Sequence, residues 1–167
     1  MLTADRLREL LEYDPDSGLW VWIGRDNNRC PPGKIAGTVD KKGYVVIQVD
    51  GRFYKAHRLA WLYMIDVWPK NQIDHINLVK ADNRWVNLRE ATRSQNGANR
   101  LAPINNTSGF KGVVWNKTAK KWEAAGYATI FGVKKRFYLG VYPTKEEASE
   151  VYRAWAKETY GEFAREQ

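Results

Sequence analysis

Asp74 and His75 stand side by side in the run IDHINLVKADNRWVNLREATRSQNGANR, residues 73–100, and are followed there by Asn87 and Asn96. Hydrolysis of a phosphodiester needs a cation to stabilise charge on the phosphate and leaving oxygen, and a base to take a proton from water. A carboxylate and an amide oxygen are hard ligands suited to magnesium or manganese. An imidazole titrates near neutral pH, where a general base works best. Asp74, Asn96 and His75 supply those groups. A lone Asp-His pair is usually an ordinary turn feature. The spacing to Asn87 and Asn96, the Asp82-Asn83-Arg84 run and the basic chain around them favour a nuclease site.

These residues need elements to hold them. If Ile73 to Ile76 is a strand, Asp74 and His75 point to opposite faces and can do different jobs, one on a metal and one on water. From Asn87 onward the spacing of Leu88 and Ala91 predicts a helix that carries Asn96 and Arg100 on one face, a metal ligand beside a phosphate-binding cation. Asn87, at the junction, suits side-chain to backbone ties that hold the loop. Upstream, residues 56–64 predict a helix with His57, Ala60, Trp61 and Met64 on one side. His57 on that apolar face reads as a structural histidine near the site rather than a second metal ligand. Asp50-Gly51 between two β-rich runs, 43–49 and 52–55, predicts a hairpin. A strand is expected at 19–23. Thr3 caps an opening helix through Leu7, Leu10 and Leu11, which Asp14 to Gly18 ends.

The chain of 167 residues is long enough for one core or two small domains, and its net charge of +8 calls for an anionic partner, most often nucleic acid. Lys and Arg are spread along the whole length, which places the charge on folded surface rather than in a basic arm. Cys30 is the only cysteine, so a disulfide partner within the chain and a cysteine-rich zinc site are excluded. No apolar run has the length of a membrane span, and the charged N-terminus does not read as a secretory signal, which points to the cytoplasm. Residues 101–108 are polar and aperiodic and read as a linker. Beyond them, three β-rich runs and a helix opened by Thr144-Lys145-Glu146-Glu147 predict a three-stranded meander packed on one helix stripe of Ala148, Val151, Tyr152 and Trp155.

Asp74-His75-Ile76-Asn77, Asp82-Asn83-Arg84, Asn87-Leu88-Arg89 and the downstream Asn96 together resemble the HNH endonuclease family, in the branch of phage and intron-encoded homing enzymes. His57-Arg58-Leu59-Ala60-Trp61 looks like the stretch that precedes the motif there. The resemblance implies a ββα-metal fold with His75 as general base, Asp74 and Asn96 binding one divalent metal per active site, and Asn87 bracing the hairpin. This chain departs from the branch at Leu78-Val79, where Gly-Asn is usual. The C-terminal stretch is similar to the plant ethylene-response-factor DNA-binding domain through Gly109 to Val113, Lys121 to Ala124, Arg136 to Gly140 and Thr144 to Ala148. That resemblance implies DNA contact by Lys111, Trp122, Arg136 and Tyr138, although the two aromatic residues read by themselves as core or half-buried platform residues rather than base readers. Lys121 joins them through phosphate.

The sequence thus predicts an α+β protein in two parts. Residues 1–100 hold an N-terminal small sheet and a ββα-metal nuclease core, and residues 109–167 a DNA-binding module, joined by 101–108. The expected function is a site-specific homing endonuclease acting on double-stranded DNA with Mg2+ or Mn2+, monomeric, with a nick in one strand and a break in both left open, in the host cell of a phage or mobile intron. Arg84, Arg89, Arg93 and Arg100 are its expected phosphate clamps. The rival expectation is a DNA-binding regulator with the same fold and no activity.

Overall fold

The computed structural model describes residues 1–24 and 31–165; Cys30 lies outside them. Among the described residues the architecture is mixed α+β with four small sheets, in two compact units, Met1–Ala91 and Thr92–Gln167.

The first unit opens with α1 (Ala4–Leu10), where the Thr3 hydroxyl accepts from Arg6 N at 3.2 Å and Leu7 and Leu10 are buried. Leu11 was expected to continue this helix. It adopts extended backbone instead and begins β1 (Leu11–Tyr13), which pairs antiparallel with β2 (Trp20–Trp22). Pairing with Trp22 buries Leu11 completely, a stronger gain than one more helical residue. The second sheet joins β3 (Thr38–Val39), β4 (Val45–Val49) and β5 (Arg52–Lys55). Its β4–β5 turn is the expected hairpin, with Asp50 and Gly51 both at positive φ between the facing Val49 and Arg52. The next helix, α2 (Ala56–Ile65), follows without a break and ends on Asp66 in the left-handed conformation. Leu7, Leu11, Trp20, Ile47, Leu59 and Leu62 form the centre of one core beneath these elements.

Against that core lies a third sheet, β6 (Gln72–His75) antiparallel to β7 (Leu88–Ala91), with Asp74 opposite Arg89 and His75 opposite Leu88. A helix was expected to start near Asn87. Residues Trp85–Asn87 form one 3-10 turn and the next four a strand, because Leu88 to Ala91 find ladder partners in Gln72 to His75. The spacing of Leu88 and Ala91, both buried, fits a strand ending as well as a helix face.

The second unit starts with α3 (Arg93–Asn99), where Thr92 and Gln95 form a capping box. The helix stops at Asn99. Arg100, expected on its face beside Asn96, is the extended C-cap. The sheet of this unit runs β10 (Val133–Tyr142), β9 (Lys121–Ile130), β8 (Val113–Asn116), each pair antiparallel. Its first strand begins at Val113; Gly109 to Gly112, matched above to a strand, form a turn with Gly109 and Gly112 at positive φ. The last helix, α4 (Lys145–Tyr160), is capped by Thr144 and crosses one face of the sheet. Gly126 makes that close approach: a Cβ there would stand 2.0 Å from Trp155. The segment 101–108 is fastened within this unit. Ser108 is buried and its hydroxyl donates to Val113 O at 2.8 Å, while Asn106 Nδ2 donates to Phe110 O at 2.7 Å. Among the described residues no helix is long and apolar enough to cross a membrane.

Candidate active site

Strand β6 places Asp74 and His75 in different surroundings, each about 5% exposed or less. Asp74 meets Arg89: Nε donates to Oδ2 at 3.1 Å and Nη2 lies 3.1 Å from the same oxygen. The guanidinium offsets a carboxylate charge that burial would otherwise make costly. His75 faces an aromatic group. Its ring lies 4.9 Å from His57, edge to face, and 6.0 Å from Tyr44, and its Nε2 is 3.4 Å from Asn83 Oδ1.

Burial is the main influence on His75 and holds its pKa below the ordinary imidazole value. Asn83 and the charges of Asp74 and Asp82 pull it up, while Lys80 pushes it down. The ring is therefore neutral near pH 7 and able to accept a proton. His57 is pulled down much further, to about 3, by burial first and then by His75, Arg58 and Lys55. Its Nδ1 is buried without a hydrogen-bond partner.

Residues 76–87 form the loop between the two strands, and Asn87 ties it at both ends. Its Oδ1 accepts from Asn77 N at 2.9 Å, its Nδ2 donates to Asp82 O at 2.8 Å, and its carbonyl accepts from Ile76 N at 3.0 Å. Asn77 Nδ2 donates to Asp82 Oδ2 at 2.6 Å. Leu78, in the position where the resembling branch has glycine, sits at φ +67. The loop thus takes the left-handed turn with a leucine in it. Asn83, noted in the sequence only as part of a motif, is buried to 2%, and its carbonyl accepts from Tyr13 OH at 2.6 Å. The Asp14 to Gly18 turn abuts the same place: Trp85 N donates to Pro15 O at 2.8 Å, and a Cβ on Gly18 would stand 2.5 Å from Arg84 N.

The expected phosphate clamps are differently placed. Arg84 is exposed, and its Nε and Nη2 donate to the two Asp82 oxygens at 2.8 and 2.7 Å. Those bonds hold the Asp82 carboxyl well below the usual range. Arg89 is committed to Asp74. In the second unit, Arg93 and Arg100 are exposed at the two ends of α3, and Asn96 is half-buried within it. Lys111 turns inward. Its Nζ donates to the carbonyls of Gly97, Ala98 and Arg100 at 2.9, 2.6 and 2.9 Å, taking up all three ammonium protons at the C-terminal end of α3. Burial, then Arg100 and Arg165, lowers its pKa to about 8.

On the sheet face away from α4, Arg136 pairs with the buried Glu123, which also accepts from Asn116 Nδ2 at 2.8 Å. Tyr138 stands 60% exposed, and Lys121 is exposed at the strand start. Trp122 is half-buried against Trp115, ring centres 5.1 Å apart. Tyr44 and Lys80 were not singled out from the sequence. No motif spacing marks them, since only the folded β3–β4 turn brings Tyr44 beside both histidines.

Among the described residues no three His, Cys, Asp or Glu side chains gather where they could hold a metal. That leaves no zinc-type site, whereas a magnesium-type ion takes one or two protein oxygens and fills the rest of its shell with water and phosphate oxygen. A single carboxylate such as Asp74 fits that chemistry.

The family model described as HNH endonuclease matches residues 54–98, from the end of β5 to α3. The chain is 34% identical over 122 residues to Protein 3.8 of Escherichia phage T7, covering 68% of this chain and 93% of that protein. It is 31% identical over 127 residues to an "Uncharacterized HNH endonuclease L560" of Acanthamoeba polyphaga mimivirus, covering 74% of this chain and 62% of that one. Among solved structures it is similar to one titled "DNA binding and cleavage by the HNH homing endonuclease I-HmuI", at 19% identity and a TM-score of 0.44, over 84% of this chain and 76% of that one.

Proposed function

We propose that this chain, whose residues 54–98 match the family model described as HNH endonuclease, is a site-specific DNA endonuclease of the homing type. It hydrolyses one phosphodiester with His75 as general base and one divalent metal, Mg2+ or Mn2+, which Asp74 and Asn96 would hold. The observation that carries this reading is the neutral, buried His75 next to a buried carboxylate on one strand, with Asn87 bracing the loop that follows. When bound, the metal stabilises negative charge on the phosphate and on the leaving oxygen.

The protein's own groups do the rest. His75 takes the proton from the attacking water, and its low pKa keeps the base form populated at neutral pH. Arg89 holds the Asp74 carboxylate in place from the neighbouring strand. Asn87 fixes the loop so that His75 keeps its orientation. The exposed Arg93 and Arg100 meet backbone phosphates, with Arg84 contributing where it can leave Asp82. The second unit positions the duplex in the manner of an ethylene-response-factor domain, with Lys121, Arg136 and Tyr138 on or beside its open sheet face and Trp122 supporting the strand edge. With one site per chain, the protein acts as a monomer and nicks one strand.

The test is to incubate supercoiled plasmid or phage DNA with Mg2+, Mn2+ or a chelator. Nicked or linear product that requires a metal supports the reading. Binding without product under either metal leaves the DNA-binding regulator in its place.

A further inference from the structure

Charge accounting around His75 singles out a residue with no role so far. In the first unit, Arg84 is held by Asp82 and Arg89 by Asp74, so neither brings net positive charge to the site. Lys55 pairs with Asp40. Lys80 is different. Its Nζ donates to the carbonyl of Lys42 at 2.9 Å, an acceptor with no net charge, and it is exposed.

Lys80 also lies on a built platform. Its Nζ is 5.1 Å from the centre of the Tyr44 ring, and Lys55 Nζ is 5.1 Å from the same centre. The ring in turn lies 6.0 Å from His75 and 5.4 Å from His57. Tyr44 is presented by a tightly fastened turn. Asp40 Oδ1 accepts from Lys42 N at 2.8 Å and Tyr44 N at 3.0 Å, and Gly43 takes φ +85. An aromatic face attracts a cation and limits where it can go, and a lysine with two donors unused is a compact point charge suited to phosphate. The turn also carries the exposed Lys41 and Lys42.

We propose that Lys80 is the phosphate clamp of the cleavage site, and that Tyr44 is the positioning residue that holds it beside His75. The proposal rests on the nuclease reading above. The clamp binds a non-bridging oxygen of a backbone phosphate at or next to the scissile bond, so that the strand lies across the His75 ring.

Four variants, Lys80→Met, Lys80→Arg, Tyr44→Leu and the double Tyr44→Leu/Lys80→Met, with the wild type, test this on supercoiled plasmid for cleavage and on a labelled duplex in calcium for binding. Lys80→Met is expected to slow single-turnover cleavage roughly 100-fold. It should also make the slope of log Kd against log salt shallower by about 1, while Lys80→Arg keeps most of the slope. Tyr44→Leu should slow cleavage in the wild-type background and add no further loss in Lys80→Met, which a merely structural tyrosine would not do. Thermal melting checks folding. A Lys80→Met protein with wild-type rate and slope overturns the proposal. A wild type that cuts with neither Mg2+ nor Mn2+ overturns the nuclease reading instead, and the clamp is then judged by the slope, which if unchanged overturns it too.

Discussion

Asp74 and Arg89 face each other across the β6–β7 pair, and both Nε and Nη2 of the arginine reach the same carboxylate oxygen at 3.1 Å. The carboxylate read as a metal ligand is thus held by a side chain read as a phosphate clamp. Removing one member of a buried pair leaves an uncompensated charge. Arg89→Met is therefore expected to destabilise the protein by about 3 kcal/mol, and Asp74→Asn combined with Arg89→Met to recover part of the loss. Urea unfolding of the wild type and the two variants measures this; a neutral Arg89→Met would mean the pair does not hold the strand.

Leu78 holds a conformation that costs a non-glycine residue about 1–2 kcal/mol. Leu78→Gly should therefore stabilise the fold by about 0.5–1 kcal/mol once the extra freedom of glycine in the unfolded chain is subtracted. A higher thermal midpoint is expected. A lower one would show that the half-buried leucine contributes more by packing than it loses in the backbone.

His57 makes stability depend on acid. Its pKa is about 3 in the fold against 6.5 for the unfolded chain, so the unfolded state binds the extra proton as pH falls. The contribution is complete above pH 6.5 and is lost progressively toward pH 3, at about 1.4 kcal/mol per pH unit. His57→Gln should flatten the urea-unfolding profile between those limits. An unchanged slope would place the proton elsewhere.

Lys111 and Arg136 separate structure from DNA contact. Lys111→Met removes the donor to three carbonyls at the end of α3 and should cost about 1–2 kcal/mol, with the salt dependence of DNA binding unchanged. Arg136→Met should lower the salt slope by about 1, and, because it leaves the buried Glu123 carboxylate with only the Asn116 amide of its two partners, it should cost stability as well. A lowered slope for Lys111→Met would return that lysine to the DNA.

The parts legible in the sequence are those set by neighbouring residues. Asp50-Gly51 dictates a two-residue hairpin, and Thr3 and Thr144 cap their helices through bonds three residues away. The Asn87 brace was legible for the same reason, since its side chain bonds to Asn77 and Asp82 within the same stretch. What depended on distant partners was not. Leu88 to Ala91 became a strand only because Gln72 to His75 lie alongside, and Leu11 left its helix for Trp22. The charge state of the site was equally hidden. Arg84, Arg89 and Lys111 read as available cations in a linear sequence, and folding commits each to its own acceptors. Tyr44 and Lys80 meet through a turn whose fastening by Asp40 no spacing rule describes.

The central claim is that His75 activates water while other groups hold the DNA. It is tested most directly by single-turnover cleavage and duplex binding of His75→Ala beside the wild type, in Mg2+ and in Mn2+. The account predicts that the variant loses cleavage and binds within a few fold of wild type. A His75→Ala protein that still cuts, or one that loses DNA binding along with cleavage, would contradict it.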